Sequence, residues 1–366
     1  MRVLVVNAGS STVKLSLLGP DDETLAEREL STPDAHLDPG ALRAALGEAL
    51  GKADGVGHRI VHGGERFRDP VRVDPWVRTG LEQLIDLAPL HQPKSLAALD
   101  AVSSALPGLP AVACFDTAFH ATLPEAAATY ALPATWGRRW GVRRYGFHGL
   151  SHAWVARRAP ELLGPSGRTD LRIVSCHLGA GASLCAIAGG RSVDTTMGFT
   201  PLEGLVMATR SGSVDPGLLL WLLEREALTT AELGQALEHE SGLLGLAGTA
   251  DMREVLARAG EGDPVARRAL AVYVHRLRAA VAALTAALGG LDVLAFTGGV
   301  GERSSDVRAA AVEGLGYLGV ALDAGRNADA DGDAEISGAG ASARTVVIHA
   351  REDVQIAHET RRVLGS

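Results

Sequence analysis

Short apolar runs punctuate this chain, each ended by glycine or small polar residues, and longer stretches with helical spacing lie between them. The pattern predicts strands at Val3–Val6, Val13–Leu18, Ala111–Phe115, Ile173–His177, Ser183–Ile187, Val293–Phe296 and Val346–His349. It predicts helices at Ala41–Leu50, Leu81–Leu87, Ser151–Ala159, Pro216–Glu226, Pro264–Leu288, Ser305–Leu315 and Asp353–Val363. Alternation of the two element types along one chain favours an α/β class. The stretch Asp323–Gly340, rich in Asp, Ala and Gly, reads as an exposed connection before the last strand.

One pattern occurs twice. VLVVNAGSSTVKLSLL, from Val3, aligns without gaps with IVSCHLGAGASLCAIA, from Ile173, placing Asn7 opposite His177 and Gly9 opposite Gly179. Each copy is a strand, a polar glycine-centred turn and a second strand. Two such units half a chain apart imply two domains of one ancestry, and 366 residues is long for a single core. A turn of glycine and small hydroxyl residues exposes backbone N–H groups that can wrap phosphate oxygens. Either turn alone is better explained as a tight hairpin. The pair, with a third glycine turn in TGGVGERSS leading into a helix, shifts the balance toward nucleotide phosphates, with Lys14 adding charge nearby.

Composition narrows the class. A net charge of −8 argues against nucleic-acid binding, which would need a basic excess. Cys114, Cys176 and Cys185 lie inside apolar runs, which suggests reduced core thiols in a cytoplasmic protein rather than disulfides or a metal site. The N-terminal apolar run passes into Asn7 and Ser10 within a few residues, unlike a signal peptide. The longest apolar tract, AAVAALTAALGG from Ala279, reads as a buried helix too short for a bilayer.

The candidate chemistry is anionic. Arg59 and Arg210 offer fixed positive charge, His148 a donor, and Asp116 and Glu352 carboxylates for a metal. Asp116 follows an apolar strand, where ligand sites of open α/β sheets concentrate. A single histidine or arginine usually has a structural explanation; the set together does not. There is no GxxxxGK[ST] phosphate loop, no HExxH and no CxxC.

VNAGSSTVK, GHRIVHGG, LAPLH, FDTAFH, YGFHGLSH, SCHLGAG, MGFTPLEGL, TRSGS, TGGVGE and ARED follow one another in this order. They resemble the acetate/propionate/butyrate kinase family almost from end to end. The resemblance implies two RNase H-like domains of the sugar kinase, heat-shock chaperone and actin (ASKHA) type with an interdomain cleft, and a homodimer. The expected domains are 1–120 plus 354–366, the acyl and phosphate side, and 121–353, the nucleotide side. It implies acetate kinase activity: reversible, Mg²⁺-dependent in-line transfer (Mn²⁺ being the alternative metal) from ATP to acetate, giving acetyl phosphate and ADP; charge and tract length already argue against nucleic-acid or membrane partners.

Position by position, Asp116, His148 and Arg210 match the catalytic residues, and Asn7 and Glu352 the magnesium-associated ones. Arg59 matches the arginine that holds the substrate carboxylate; His91, Val61, Leu90, Phe147 and Pro201 match the acyl side. Lys14, Ser10 and Thr12 belong to the first phosphate turn and His177, Gly179 and Gly181 to the second. Asp251, Arg253, Gly299, Gly301 and Arg303 match the segments around the nucleoside.

Three positions depart from the family pattern: Ala180 stands where asparagine is usual, Arg303 where asparagine follows the glutamate, and Thr12 where serine is usual. The first two bear on the phosphoryl donor, leaving another nucleotide or pyrophosphate as alternatives to ATP. The competing activities are a propionate or butyrate kinase with broader carboxylate use, and a nucleotide-dependent clamp without phosphoryl transfer. Val61 keeps branched bulk that favours a two-carbon acyl group.

Overall fold

The strand β1 (Val3–Ala8) carries almost no polar side chain, and its apolar residues are buried on both faces, as a central strand requires. The computed structural model describes residues 1–9, 12–31, 39–50, 52–89, 91–164, 170–225 and 228–365. Around β1 the first sheet contains β2 (Thr12–Leu18), β3 (Thr24–Ser31), β4 (Gly55–Ile60), β5 (Val71–Arg72) and β6 (Ala111–Phe115), in the order β3-β2-β1-β4-β6-β5. β1, β2 and β3 form an antiparallel meander, whereas β4 and β6 run parallel to β1.

Alternation along β1 sends Leu4, Val6 and Ala8 to one face and Val3 and Val5 to the other. The first face is covered by the helices Pro39–Leu50, through Leu42 and Leu46, and Gln92–Ala105, through Ala98 and Val102. The second is covered by the helix Glu352–Leu364, through Val354, Ile356 and Ala357. That helix lies flush on β4, because Gly57 has no side chain. A Cβ there would sit 2.4 Å from Thr360 Oγ1 and 2.6 Å from Ile356 Cγ2.

The second sheet contains β7 (Arg172–Leu178), β8 (Ala182–Ala188), β9 (Arg191–Thr195), β10 (Val293–Thr297), β11 (Ala334–Glu335) and β12 (Arg344–Val347). Its order is β11-β12-β10-β7-β8-β9, read from the other edge as β9-β8-β7-β10-β12-β11. This repeats the first sheet strand for strand, with the same antiparallel meander, two parallel strands and a short antiparallel edge. The duplicated hairpin seen in the sequence is therefore the visible part of a six-strand repeat, and the expected α/β architecture of two similar domains holds.

The chain divides into two units: Met1–Ala121 with Phe147–Trp154 and Arg351–Ser366, and Thr122–Gly146 with Val155–Ala350. Ala121 apart, this division differs from the sequence expectation at two places. Phe147–Trp154 clusters with the first sheet because the Gly149 N–H donates to the Asp116 carbonyl at 2.8 Å and Leu150 packs beside Val112 and Cys114. Arg351–Asp353 goes with the helix they begin.

Two other expectations need correcting. Asp323–Gly340 is not a bare connection: it contains the helix Ala324–Ala328, capped by Asp323, and β11. The apolar tract at Ala279 belongs to a 25-residue helix, Pro264–Leu288, long and apolar enough by length and composition alone to cross a membrane. Ala266, Ala269, Tyr273, Leu277, Val281 and Leu284 line its buried stripe against β7, β8 and β9, as expected of a sheet-covering helix.

Candidate active site

Three neighbouring strands of the first sheet end in polar side chains on one face. Asn7 is the last residue but one of β1, Arg59 lies near the end of β4, and Asp116 follows β6, two residues beyond Cys114, the register partner of Arg59. The helix Glu352–Leu364 covers this face, so its first residue, Glu352, arrives at the same place.

The four side chains form one knot. Arg59 Nε donates to both Asp116 carboxylate oxygens, at 3.0 and 3.2 Å, and Nη2 donates to Oδ2 at 2.7 Å. Arg59 Nη1 donates to Asn7 Oδ1 at 3.1 Å and lies 3.9 Å from Glu352 Oε2, which also accepts from Asn7 Nδ2 at 3.4 Å. One guanidinium faces two carboxylates, so the knot retains a net negative charge. Burial pushes the Asp116 carboxyl above its usual range, and Arg59 only partly offsets this. Burial alone would lower Arg59, but Asp116 and Glu352 hold its pKa above the ordinary value.

Beside the knot, the backbone is strained where a histidine is presented. His148 has φ 55°, a left-handed conformation uncommon for a residue with a side chain. The next residue must be glycine, since a Cβ on Gly149 would lie 2.1 Å from the Asp116 carbonyl oxygen. His148 thus sits at the entry of the helix Gly149–Leu162, its carbonyl accepting from the His152 N–H at 3.0 Å. Phe147 is buried, and the His62 ring meets it edge-on at 5.5 Å. His62 Nδ1 accepts from the Gly64 N–H at 2.8 Å, which places the proton of the neutral ring on Nε2. Burial lowers the His62 pKa to about 4.

In the second unit the corresponding strand ends carry little charge. His177 in β7 stands opposite Thr297 in β10, and glycine turns follow both strands. Together with the segment at Asp251 they line a cavity of about 920 Å³, walled by Gly179, Ala180, Arg253, Tyr273, Gly299 and Arg303 among others. Gly298 has φ 77°, and a Cβ on it would lie 2.8 Å from the Leu178 carbonyl oxygen. A Cβ on Gly299 would lie 2.7 Å from Arg303 Nη2, so that guanidinium leans over the loop.

Two side chains fix this loop. Glu302 Oε1 accepts from the Gly298 and Ala350 N–H groups at 2.9 and 3.0 Å, and Oε2 meets His349 Nδ1 at 2.6 Å. Arg308, buried, donates to the Gly301 and Glu302 carbonyls at 3.0 and 2.6 Å. The Arg210 carbonyl accepts from the Met207 N–H at 3.2 Å, and the neighbouring Ala208 N–H donates to Ala180 O at 3.1 Å. Arg210 Nε lies 3.1 Å from Glu238 Oε2.

The sequence profile of the Acetokinase family matches residues 41–358. The chain is also 46% identical to the acetate kinase of Deinococcus radiodurans, over all of this chain and 98% of that protein. It belongs to the acetokinase family. Among solved structures, the acetate kinase of Porphyromonas gingivalis superposes with a TM-score of 0.91 at 37% identity. A propionate kinase of Francisella tularensis superposes at 0.92 with 33% identity. Each match covers 99% of both chains. Like its relatives, this acetokinase is a kinase.

Not every residue singled out in the sequence joins one of the two groups. Lys14 pairs with Glu27 at 3.2 Å, both half exposed, instead of joining Asn7. The Thr12 carbonyl closes the first turn by accepting from the Gly9 N–H at 2.8 Å, and the Gly181 carbonyl does the same for Gly179 at 3.0 Å. Val61 is buried next to His62, His91 precedes the helix Gln92–Ala105, and Pro201 sits in a partly exposed turn. Arg253 and Asp251 do join the cavity wall, where Arg253 is bidentate to Asp251, which also caps the helix Met252–Gly260. Ser10 and Leu90 lie outside the described residues.

Residues that sequence reasoning passed over are mostly those that hold others in place. Gln92 is buried, accepts from the His62 N–H at 3.3 Å and donates to the His62 carbonyl at 3.2 Å. Arg308 carried a readable signal, a charge on the same helical stripe as the buried Ala311 and Val312.

Proposed function

We propose that this acetokinase transfers the γ-phosphoryl group of ATP to acetate, reversibly, giving acetyl phosphate and ADP. The observation that carries the proposal is the knot of Arg59, Asp116, Asn7 and Glu352, an arginine oriented by carboxylates at the carboxyl ends of adjacent strands. A carboxylate oxygen of acetate forms the new O–P bond while the bond from the γ-phosphorus to the bridging oxygen breaks, and that electron pair leaves with ADP. Acetate is already ionised at neutral pH, so no base has to remove a proton. The barrier lies in bringing two anions together, and catalysis is positioning and charge compensation.

Arg59 holds the acyl carboxylate, with Asp116 fixing the plane of its guanidinium. Arg210 and His148 donate to the equatorial oxygens as charge builds there. The first unit supplies this acyl side, with Val61 and Phe147 closing on the methyl group. The second supplies the nucleotide side, where a cavity of about 920 Å³ and its glycine turns suit a nucleoside and its phosphates. Arg303 and Ala180 are the positions on which donor choice depends.

The donor set of the knot fits a hard divalent cation. Asn7 and Glu352 offer oxygen ligands, and the net negative charge would be offset by a bound cation. Among the described residues no three acidic, histidine or cysteine side chains form a cage, so water and phosphate would complete the shell. Mg²⁺ or Mn²⁺ held there would neutralise phosphate charge.

A second reading has a specific support, the similarity to a propionate kinase at 33% identity. One methylene is worth only about 1–3 kcal/mol in an apolar pocket, so propionate turnover is expected beside acetate. A homodimer and a cytoplasmic site complete the proposal. The helix Pro216–Arg225, with no buried residue and with Leu218, Leu220 and Trp221 about half exposed, supports pairing with a second copy. The three buried free thiols suit a reducing compartment.

The test is hydroxamate trapping of acyl phosphate with ATP, Mg²⁺ and carboxylates of two to four carbons, repeated with GTP and pyrophosphate. Acetyl hydroxamate formed with ATP is the expected result. No acyl phosphate from any carboxylate would leave only a nucleotide clamp.

A further inference from the structure

The segment between β9 and Leu205 has no helix or strand of its own, yet it is fixed by side chains from outside it. Arg144 Nη1 donates to three successive carbonyls, of Thr195 at 3.1 Å, Thr196 at 3.2 Å and Met197 at 3.0 Å. Its Nη2 donates to Glu203 Oε1 at 2.8 Å. The Tyr130 hydroxyl donates to Glu203 Oε2 at 2.5 Å and accepts from the Phe199 N–H at 2.9 Å. The Gly198 carbonyl accepts from the Tyr145 and Gly146 N–H groups at 3.1 and 3.2 Å.

The fit leaves no room for a side chain in the middle. A Cβ on Gly198 would lie 1.7 Å from Glu203 Oε2 and 2.1 Å from the Tyr130 oxygen. Burial, then the Glu203 carboxylate, push the Tyr130 hydroxyl above its ordinary pKa, so it stays a donor throughout the neutral range. By contrast, the turn's own polar bonds are long, from Gly198 N–H to the Thr200 carbonyl and from Leu202 N–H to Thr200 Oγ1, both at 3.3 Å.

We infer that Tyr130, Glu203 and Arg144 form a clamp that fixes the Phe199–Leu202 turn and thereby sets the carboxylate chain length the enzyme prefers. The inference rests on the proposed activity and on the acyl-side role that the family resemblance gives Pro201. A wall for a methyl group discriminates only if it does not yield. Once the clamp is cut, the turn keeps its two long bonds and the anchor of the Gly198 carbonyl at its start, and movement of about 1 Å at Phe199–Leu202 makes room for part of another methylene. The three residues are positioning residues, since none is proposed to touch the substrate.

The experiment measures kcat/KM for acetate and propionate, and KM for ATP, in Tyr130→Phe, Glu203→Gln and Pro201→Ala, with circular dichroism confirming the fold. Tyr130→Phe keeps the ring but loses the bond to Glu203. Glu203→Gln, which can still accept from Tyr130, serves as the milder second variant. Expected is a rise of about three- to tenfold in the propionate-to-acetate ratio for Tyr130→Phe and Pro201→Ala, with ATP KM within about twofold. A smaller shift is expected for Glu203→Gln. A shift in Pro201→Ala without one in either clamp variant would overturn the clamp and leave the acyl wall standing. No shift in Pro201→Ala would remove that wall and the clamp's role with it.

Discussion

The two sheets have the same strand order, but their strand ends carry opposite chemistry. In the first, Asn7, Arg59 and Asp116 stand at the ends of three adjacent strands, and Asn7, Asp116 and Glu352 gather around the one guanidinium. In the second, His177 and Thr297 occupy the matching ends of β7 and β10, and glycine turns open onto a cavity. One scaffold thus offers side-chain charge in one copy and exposed backbone in the other. A duplicated fold fixes where chemistry can sit, while the residues at the strand ends decide which chemistry it is.

Substitutions can test that contrast, beginning with the largest effect on turnover. Arg210→Ala is expected to lower kcat about 10³-fold with a much smaller change in acetate KM, as for a charge that acts mainly in the transition state. Equal losses in kcat and in affinity would mean that Arg210 binds the ground state. Asp116→Asn keeps the shape of the knot and removes a buried negative charge. Turnover should fall about 10²-fold and the Mg²⁺ concentration for half-maximal rate should rise, measurable by metal titration. In the second unit the prediction shifts from kcat to KM. Gly298→Ala forces a side chain into φ 77° and toward the Leu178 carbonyl. An ATP KM raised about tenfold with acetate KM unchanged is expected. If acetate KM changed instead, the division between a charged acyl side and a backbone-lined nucleotide side would be wrong.

What could be read in the sequence follows from the same contrast. The central strands were legible because they are uniformly apolar: Ala111–Phe115 is found as predicted, and the helix Pro264–Leu288 matches end to end. β3 was missed because Glu27, Arg28 and Glu29 break its pattern, the kind of charge that protects an exposed edge strand. β4 was missed because its residues, GHRI, are occupied with helix contact and the site rather than with alternation. The helix predicted at Leu81–Leu87 instead runs Pro75–Glu82, started by the Asp74 cap and Pro75, with a separate 3₁₀ turn at Ile85–Leu87. In the candidate site, residues with short motifs around them were visible, whereas Gln92 and Tyr130 act through partners distant in sequence.

The smallest expected effect on turnover concerns stability, and it sets two buried histidines against a buried carboxyl. His58 lies in the middle of β4, and His62 follows it; burial lowers both to about 4, although Asp100 pulls His58 slightly upward. Each is neutral in the folded protein and protonates on unfolding below its ordinary value near 6.5. Their contribution is therefore complete above pH 6.5 and is lost as pH falls toward 4, at about 1.4 kcal/mol per pH unit for each. Glu359, on the helix Glu352–Leu364, has the opposite sign. Burial raises its carboxyl to about 7, so between pH 4.5 and 7 the folded state binds more protons than the unfolded chain, and stability is lost as pH rises. Wild-type stability should accordingly still rise from pH 5 to 6.5, but at about half the rate of the two histidines alone, because the carboxyl cancels the slope of one of them. Glu359→Gln retains an acceptor for Gln355 Nε2, which donates to Glu359 at 3.0 Å, but leaves no buried charge. That variant should be more stable than wild type at pH 8, by roughly 3 kcal/mol at most, with kcat unchanged. Urea unfolding from pH 4.5 to 8 should then show the histidine slope unmasked. A Glu359→Gln curve parallel to wild type throughout would mean that the carboxyl is solvated and plays no part in the balance.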